Sequence, residues 1–263
     1  MSGRRVFITG ASSGLGAALA AEYAAQGATL GLLARRGDAL DRLIASLPRS
    51  SSDAQNHRAY VADVRDHAAI AAAARDFLAH AGGIDVVIAN AGISVGTLTE
   101  FAEDLAVFED IIATNVVATA ATFAPFIAPM KAQRTPARLV GIGSVAGIRG
   151  LPGAEAYSAS KAAVISYCES LRLELKPHGI KVVTLCPGYI DTPMTRVNPY
   201  PMPFLMAADT FAAKAARTIA AGNSYAVIPW QMGVVAKVLR LLPNAVYDFA
   251  FARAPHKPRK DAP

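Results

Sequence analysis

Residues 9–16 read Thr9-Gly10-Ala11-Ser12-Ser13-Gly14-Leu15-Gly16; they follow directly on the apolar run 5–9 and lead into the alanine-rich stretch 17–26. A strand, a glycine-rich turn and a helix in that order open a βαβ unit. Glycines let the backbone turn tightly and approach a pyrophosphate, while free N–H groups at the helix start favour phosphate charge. The spacing Gly-x3-Gly-x-Gly departs from the general G-x-G-x-x-G fingerprint, and its place straight after the first strand gives it meaning. A dinucleotide cradle built from Gly10, Ser12, Ser13, Gly14, Leu15 and Gly16 is expected.

Outward from this turn, short apolar runs at 5–9, 29–33, 86–89, 138–142 and 181–186 alternate with longer alanine-rich amphipathic stretches. Strands apolar on both faces with helical crossovers imply a parallel sheet covered on both sides. The expectation is a single-domain α/β fold over 1–263, a Rossmann-like doubly wound parallel sheet with helices on both faces, its core at about 4–194 plus a later strand. The polar loop 49–56 and the proline-rich excursion 198–203 are too short for interdomain linkers.

With 53% hydrophobic and 17% charged residues, the chain can bury a large core, and disorder is excluded. The net charge of +6 draws partly on Arg253, Lys257, Arg259 and Lys260 at the end; elsewhere Lys and Arg are scattered, so no nucleic-acid partner is expected. Cys168 and Cys186 lie outside any CxxC or histidine cluster, so neither disulfide nor metal is expected. The first residues, MSGRRVFITG, carry no secretory pattern, and a cytoplasmic location is expected. Residues 111–130 lack charge over a membrane-spanning length, yet Thr114, Asn115, Thr119, Thr122, Pro125 and Pro129 interrupt them; a helix buried against a sheet or a sister subunit is the expectation.

The second strand ends in Ala34-Arg35-Arg36, without the carboxylate that an NAD-selective site directs at the ribose hydroxyls. Two guanidiniums suit the 2′-phosphate of NADP(H), the preferred cofactor, with NAD(H) left open as a second.

Ser144 stands at a strand end, Tyr157 thirteen positions later and Lys161 four beyond that. Residues i and i+4 share a helix face. A phenol with a pKa near 10 is a poor acid–base catalyst at neutral pH, but a nearby ammonium stabilises phenolate and lowers that pKa. Ser144 can donate to the oxygen of a carbonyl or alcohol. The segments 9–16, Asn90-Ala91-Gly92, Asn115, Ser144, Tyr157-Ser158-Ala159-Ser160-Lys161 and Pro187-Gly188 together resemble the short-chain dehydrogenase/reductase family over roughly 4–194.

That resemblance implies hydride transfer between nicotinamide and a carbonyl carbon. Tyr157 would be the acid or base, Lys161 would bind the nicotinamide ribose and lower the tyrosine pKa, and Ser144 would orient the substrate oxygen. Asn115 would hold a water linking Lys161 to solvent. It assigns Asp63 and Val64 to the adenine, Asn90, Ala91 and Gly92 to the adenosine ribose, and Pro187, Gly188, Ile190 and Thr192 to the nicotinamide. By the same resemblance, helices over 104–130 and 157–175 pair across a two-fold axis, giving a homodimer or homotetramer. A non-catalytic NADP-binding redox sensor or scaffold is the alternative; it has no use for an acid–base phenol.

Candidate substrate-pocket residues are Ile93, Ser94, Val145, Ile148, Leu151, Tyr189 and Met194, mostly apolar. Residues 193–206 carry four prolines and three methionines, as suits a lid, about 192–210, over a flexible apolar substrate such as a lipid-like or aromatic ketone. A lid packed on its own core above a small substrate is the competing reading. Beyond 230 the chain forms a C-terminal extension. Its segment 231–242 sets Val234, Val235, Val238, Leu239, Leu241 and Leu242 on an apolar face with Lys237 and Arg240 opposite. With the basic tail, this segment suits peripheral contact with an anionic membrane; packing on the same or a neighbouring subunit is the alternative.

Overall fold

In the first strand, β1 (Arg5–Thr9), Val6, Phe7 and Ile8 are wholly buried, so side chains pointing to both faces leave water. That is the signature of a strand inside a parallel sheet. The computed structural model describes residues 3–48, 57–133, 135–252, 254 and 256–259; the polar loop 49–56, Arg253 and Lys260 lie outside them.

The sheet has seven parallel strands in the order β3-β2-β1-β4-β5-β6-β9. They are β2 (Thr29–Ala34), β3 (Arg58–Val61), β4 (Val86–Ala89), β5 (Arg138–Ile142), β6 (Lys181–Pro187) and β9 (Tyr225–Ile228). The chain winds outward from β1 through β2 to β3, then crosses back to place β4 on the other side of β1. At such a reversal the turns after β1 and β4 diverge and leave a crevice at the strand ends.

One apolar layer packs Leu19 and Tyr23 of α1 (Gly14–Ala25) and Phe211 and Ile219 of α8 (Ala208–Ala221) on Leu30, Leu32 and Val183. The other gathers Phe77 of α3 (His67–Ala81), Phe123 and Phe126 of α5 (Ala118–Gln133) and Val164 of α6 (Glu155–Leu175) around Phe7. Gly31 makes room for that cluster, because a Cβ there would stand 2.6 Å from the Phe7 ring and 2.8 Å from Phe77. The ring of Phe7 sits 5.0 Å from that of Phe126.

The helix expected over 104–130 is a composite. The segment α4 (Asp104–Ile112) passes through a π-helical turn, Ala113–Val117, into α5, which accommodates Pro125 and Pro129. The span Asp104–Gln133 is long and apolar enough to cross a membrane by length and composition, while Phe123, Phe126 and Met130 are buried on the sheet. Helix α2 (Gly37–Ser46) joins β2 to the loop before β3.

A two-stranded ladder of β7 (Ile190–Asp191) with β8 (Met206–Ala207) closes the base of the proline-rich excursion, which opens with a short helix α7 (Pro193–Arg196). The chain ends in α9 (Trp230–Leu241) and α10 (Asn244–Phe251). Helix α9 buries Met232, Gly233 and Ala236, so Val234, Val235, Val238 and Leu241 face solvent beside exposed Lys237 and Arg240. The two cations therefore share the solvent side with the apolar stripe.

Candidate active site

The strand ends after β1, β2, β4, β5 and β6 border a cleft of about 370 Å³. Its floor is knitted across the reversal. The Thr9 hydroxyl accepts from the backbone N–H of Asn90 (3.2 Å) and Ala91 (3.3 Å), while Asn90 Nδ2 donates to the carbonyls of Thr9 (3.0 Å) and Gly10 (3.2 Å). Gly10 has φ +67°, and a Cβ on Gly16 would lie 2.3 Å from the Gly10 carbonyl oxygen. No larger residue fits at 16. Ser13 begins α1 without a side-chain cap, which leaves the first N–H groups of the helix without that acceptor. The residues therefore fit a dinucleotide's pyrophosphate.

At the outer end, Arg36 donates to Ser12 Oγ (3.1 Å), and Arg35 approaches Asp63 at 4.0 Å. Asp63 is gripped by Arg65 at 2.9 Å, and Arg65 extends to Asp110 at 2.8 Å. Hydrogen bonding to Arg65 holds the Asp63 carboxyl below its ordinary range despite partial burial. Val64 is buried beside it. Arg65 and Asp110 line the cleft although nothing in the local sequence pattern singled them out.

At the inner end, Ser144 follows β5 and starts the 3₁₀ turn Val145–Gly147, its Oγ accepting from Ala146 N–H at 3.1 Å. Gly147 lets that turn press on α6: a Cβ would come 2.6 Å from the Lys161 carbonyl carbon. This contact brings Ser144 to the face of α6 that carries Tyr157 and Lys161. Lys161 is buried and donates through Nζ to the Ile142 carbonyl (2.8 Å). Desolvation lowers its pKa to about 8. Burial likewise pushes the Tyr157 phenol up, with the Ser144 hydroxyl working against it. Burial, with Ser144 as the opposing partner, sets the direction, against the lowering expected from the ammonium.

Asn115 sits in the π-helical turn, fully buried; its Oδ1 accepts from Ile93 N–H (2.8 Å), and its Nδ2 donates to the Ile93 carbonyl (3.0 Å) and Ser160 Oγ (2.9 Å). The π turn adds a residue to the helix repeat, and such insertions recur at functional sites. Asn115 thereby fixes the loop after β4 beside α6, with Gly92 so near that its Cβ would stand 3.6 Å from Lys161 Nζ.

Pro187, Gly188, Ile190 and Thr192 form the opposite wall. Thr192 caps α7 in reciprocal bonding with Thr195, and its Cβ is 3.5 Å from where a Cβ on Gly14 would stand. All the expected cofactor residues line the cleft except Gly16, which lies just behind it; Asn115 also stands behind the lining. Of the expected substrate residues, Ile93 and Met194 line it, whereas Ser94, Val145, Ile148, Leu151 and Tyr189 do not. Ser94 accepts from Lys257 (2.8 Å), Leu151 N–H donates to Ser158 Oγ (3.2 Å), and the Tyr189 ring meets Tyr200 at 6.5 Å. Among the described residues, no cluster suited to a metal ion exists.

Comparison with known proteins agrees with this geometry. The family model described as short chain dehydrogenase matches residues 4–200. An uncharacterized oxidoreductase of Myxococcus xanthus (strain DK1622) is 36% identical over 253 residues, 96% of this chain and 98% of its own. Another, from Mycobacterium tuberculosis (strain CDC 1551 / Oshkosh), is 42% identical over 193 residues, 73% of this chain and 75% of its own. The solved structure of a short chain dehydrogenase/reductase from Burkholderia phymatum in complex with NAD matches with TM-score 0.80 and 26% identity, covering 98% of both chains.

Proposed function

The chain belongs to the short-chain dehydrogenase/reductase family and is an oxidoreductase acting on CH–OH or carbonyl groups; we propose that it uses NADP(H) to reduce an apolar, lipid-like or aromatic ketone. The observation that carries this reading is the meeting of Ser144, Tyr157 and Lys161 with the glycine-rich turn in one cleft.

When bound, the nicotinamide supplies the hydride. The glycine turn and the start of α1 hold the pyrophosphate, Asp63 and Val64 meet the adenine, and Asn90, Ala91 and Gly92 meet the adenosine ribose. Arg35 and Arg36, standing at the end of β2 where an NAD-selective site carries a carboxylate, take the 2′-phosphate. Tyr157 gives its hydroxyl proton to the carbonyl oxygen as the alcohol forms, and Ser144 donates to the same oxygen and holds it in place. Lys161, pinned by Ile142, binds the nicotinamide ribose and stabilises the phenolate that results. Asn115 keeps the loop after β4 against Ser160, so that Gly92 stays beside Lys161.

The same proposal treats 1–263 as one domain in the cytoplasm, forming a homodimer or homotetramer through α4, α5 and α6, where Leu105, Val117 and Leu173 are exposed. Membrane contact by the C-terminal segment rests on the outward stripe of α9 and α10, because Lys257 and Arg259 turn inward. The test is a panel of long-chain, aromatic and polar ketones followed by nucleotide absorbance. A higher kcat/KM with NADPH than with NADH, and with apolar than with sugar-like ketones, is expected. Equal use of the two nucleotides would remove the assignment of Arg35 and Arg36.

A further inference from the structure

The last described residues, 256–259, fold back onto the loop that follows β4 and the loop that precedes α6, beyond residue 200 where the family match stops. Gly96 N–H donates to the Pro258 carbonyl (3.0 Å), and a Cβ on Gly96 would fall 2.1 Å from the Lys257 carbonyl oxygen. A Cβ on Gly153 would meet the His256 ring at 2.6 Å. Glycines on two segments thus admit this strap. One segment leads from Gly92 and Ile93, the other from Ser144 to Tyr157, so the strap bridges the loops that carry the cleft's reactive side.

Its two cations are treated differently. Arg259 is fully paired, at 2.8 Å with Asp104 and 3.0 Å with Glu103, and it stacks 3.6 Å over the Phe101 ring. Lys257 has no carboxylate within ion-pair distance among the described residues; its ammonium donates to Ser94 Oγ at 2.8 Å. An ammonium has three donors, and one hydroxyl uses one of them. The side chain is half-buried, and desolvation lowers its pKa to about 8. A partly desolvated cation facing a neutral hydroxyl lacks the counter-charge that such burial ordinarily requires. Among the described residues, Asp104 and Glu103 are held by Arg259, two residues along the strap. Ser94 directly follows Ile93, which lines the cleft.

We propose that Lys257, steadied by Ser94 and the strap, is a specificity residue that receives a carboxylate at the far end of the apolar substrate. This rests on the ketone-reductase reading of the same cleft and narrows its substrate class to apolar oxo-acids.

The test is calorimetric titration of octanoate and octanamide into the full chain with saturating oxidised nicotinamide nucleotide. Neither probe carries a ketone, so binding is read apart from turnover; failure to reduce any ketone would strike the proposed function and leave this result standing. The expected result is at least ~10-fold tighter binding of octanoate than of octanamide, lost in Lys257→Gln, retained in Lys257→Arg and retained in Ser94→Ala, whose cation is intact. An unchanged melting temperature for Lys257→Gln shows that Arg259 still fastens the strap. Equal affinity for the two probes, binding of neither, or a preference that survives Lys257→Gln would overturn the proposal.

Discussion

Lys161 Nζ lies 5.8 Å from the centre of the Tyr157 ring, one turn further along α6, and hangs from the Ile142 carbonyl at the end of β5. The cation is therefore tied to the sheet while the phenol rides on the helix. Their spacing depends on the 3₁₀ turn at Val145–Gly147 that packs the two elements together.

If Tyr157 is the proton donor, Tyr157→Phe removes the reacting hydroxyl and little else. Turnover should fall by about 10²–10⁴, with nucleotide affinity nearly unchanged. Steady-state rates together with nucleotide titration check both halves, and a near-parental rate would end the assignment.

Gly16→Ala places a methyl 2.3 Å from the Gly10 carbonyl oxygen and 2.7 Å from Asn90 Nδ2. These are backbone and a half-buried amide held by the carbonyls of Thr9 and Gly10, so nucleotide affinity should drop by at least ~100-fold, about 2.7 kcal/mol. Gly14→Ala meets nothing closer than 3.5 Å and pays only for its φ of +55°, a strain of about 1 kcal/mol. Affinity ranked in the reverse order would contradict the close approach of these backbones.

Burial lowers Lys161 from its ordinary 10.5 to about 8. Between those values this group holds more of its proton in the unfolded chain than in the folded one, so stability should rise with pH from about 8 to 9. The cost carried below pH 8 is on the order of 3 kcal/mol for Lys161. From about pH 9 the buried thiol of Cys168, pushed up to about 12, opposes the rise because unfolding lets it ionise, and above pH 10 Tyr23 and Tyr167, likewise pushed up to about 12, turn the trend downward. Urea titrations at pH 7, 8 and 9 should show the rise, and Lys161→Met should flatten much of it.

Arg259→Met leaves the Asp104 carboxylate, almost wholly covered and already bonded to Leu98 N–H at 2.8 Å, without its cation. The urea midpoint should fall, and adding Asp104→Asn should restore part of the loss, because the neutral amide needs no counter-charge. Independent, additive effects of the two changes would deny the pairing.

The parallel strands could be read from the chain because their residues are apolar on both sides, as in Val86–Ala89 and Lys181–Pro187. The edge strand Arg58–Val61 shows why this has a boundary: Arg58, Ala59 and Val61 are exposed, so no apolar run marks it. The glycine turn, Asn90, Ser144, Tyr157 and Lys161 were readable as well, since each couples a chemical group to a fixed place at a strand or helix end. Arg65 was not, being an ordinary turn cation until folding brings Asp110, 45 positions away, within reach. The bonds from Lys257 to Ser94 and from Arg259 to Asp104 span 163 and 155 positions, and no local pattern encodes them. On α9 Lys237 and Arg240 do not stand opposite the apolar face, for a related reason: the small Gly233 and Ala236 form the helix's inner seam, so apolar content and burial part company there.

Arg149 donates to the carbonyls of Leu239 and Leu242 at the end of α9 and stacks 3.9 Å over Tyr247, whose hydroxyl returns a bond to the Gly150 carbonyl at 2.6 Å. The segment just past Ser144 is thus bolted to a piece of chain that carries none of the hydride chemistry. If Lys257 sets selectivity as proposed, a terminal piece exchanged between relatives along with the partner of Arg149 would transplant preference while leaving the reaction untouched.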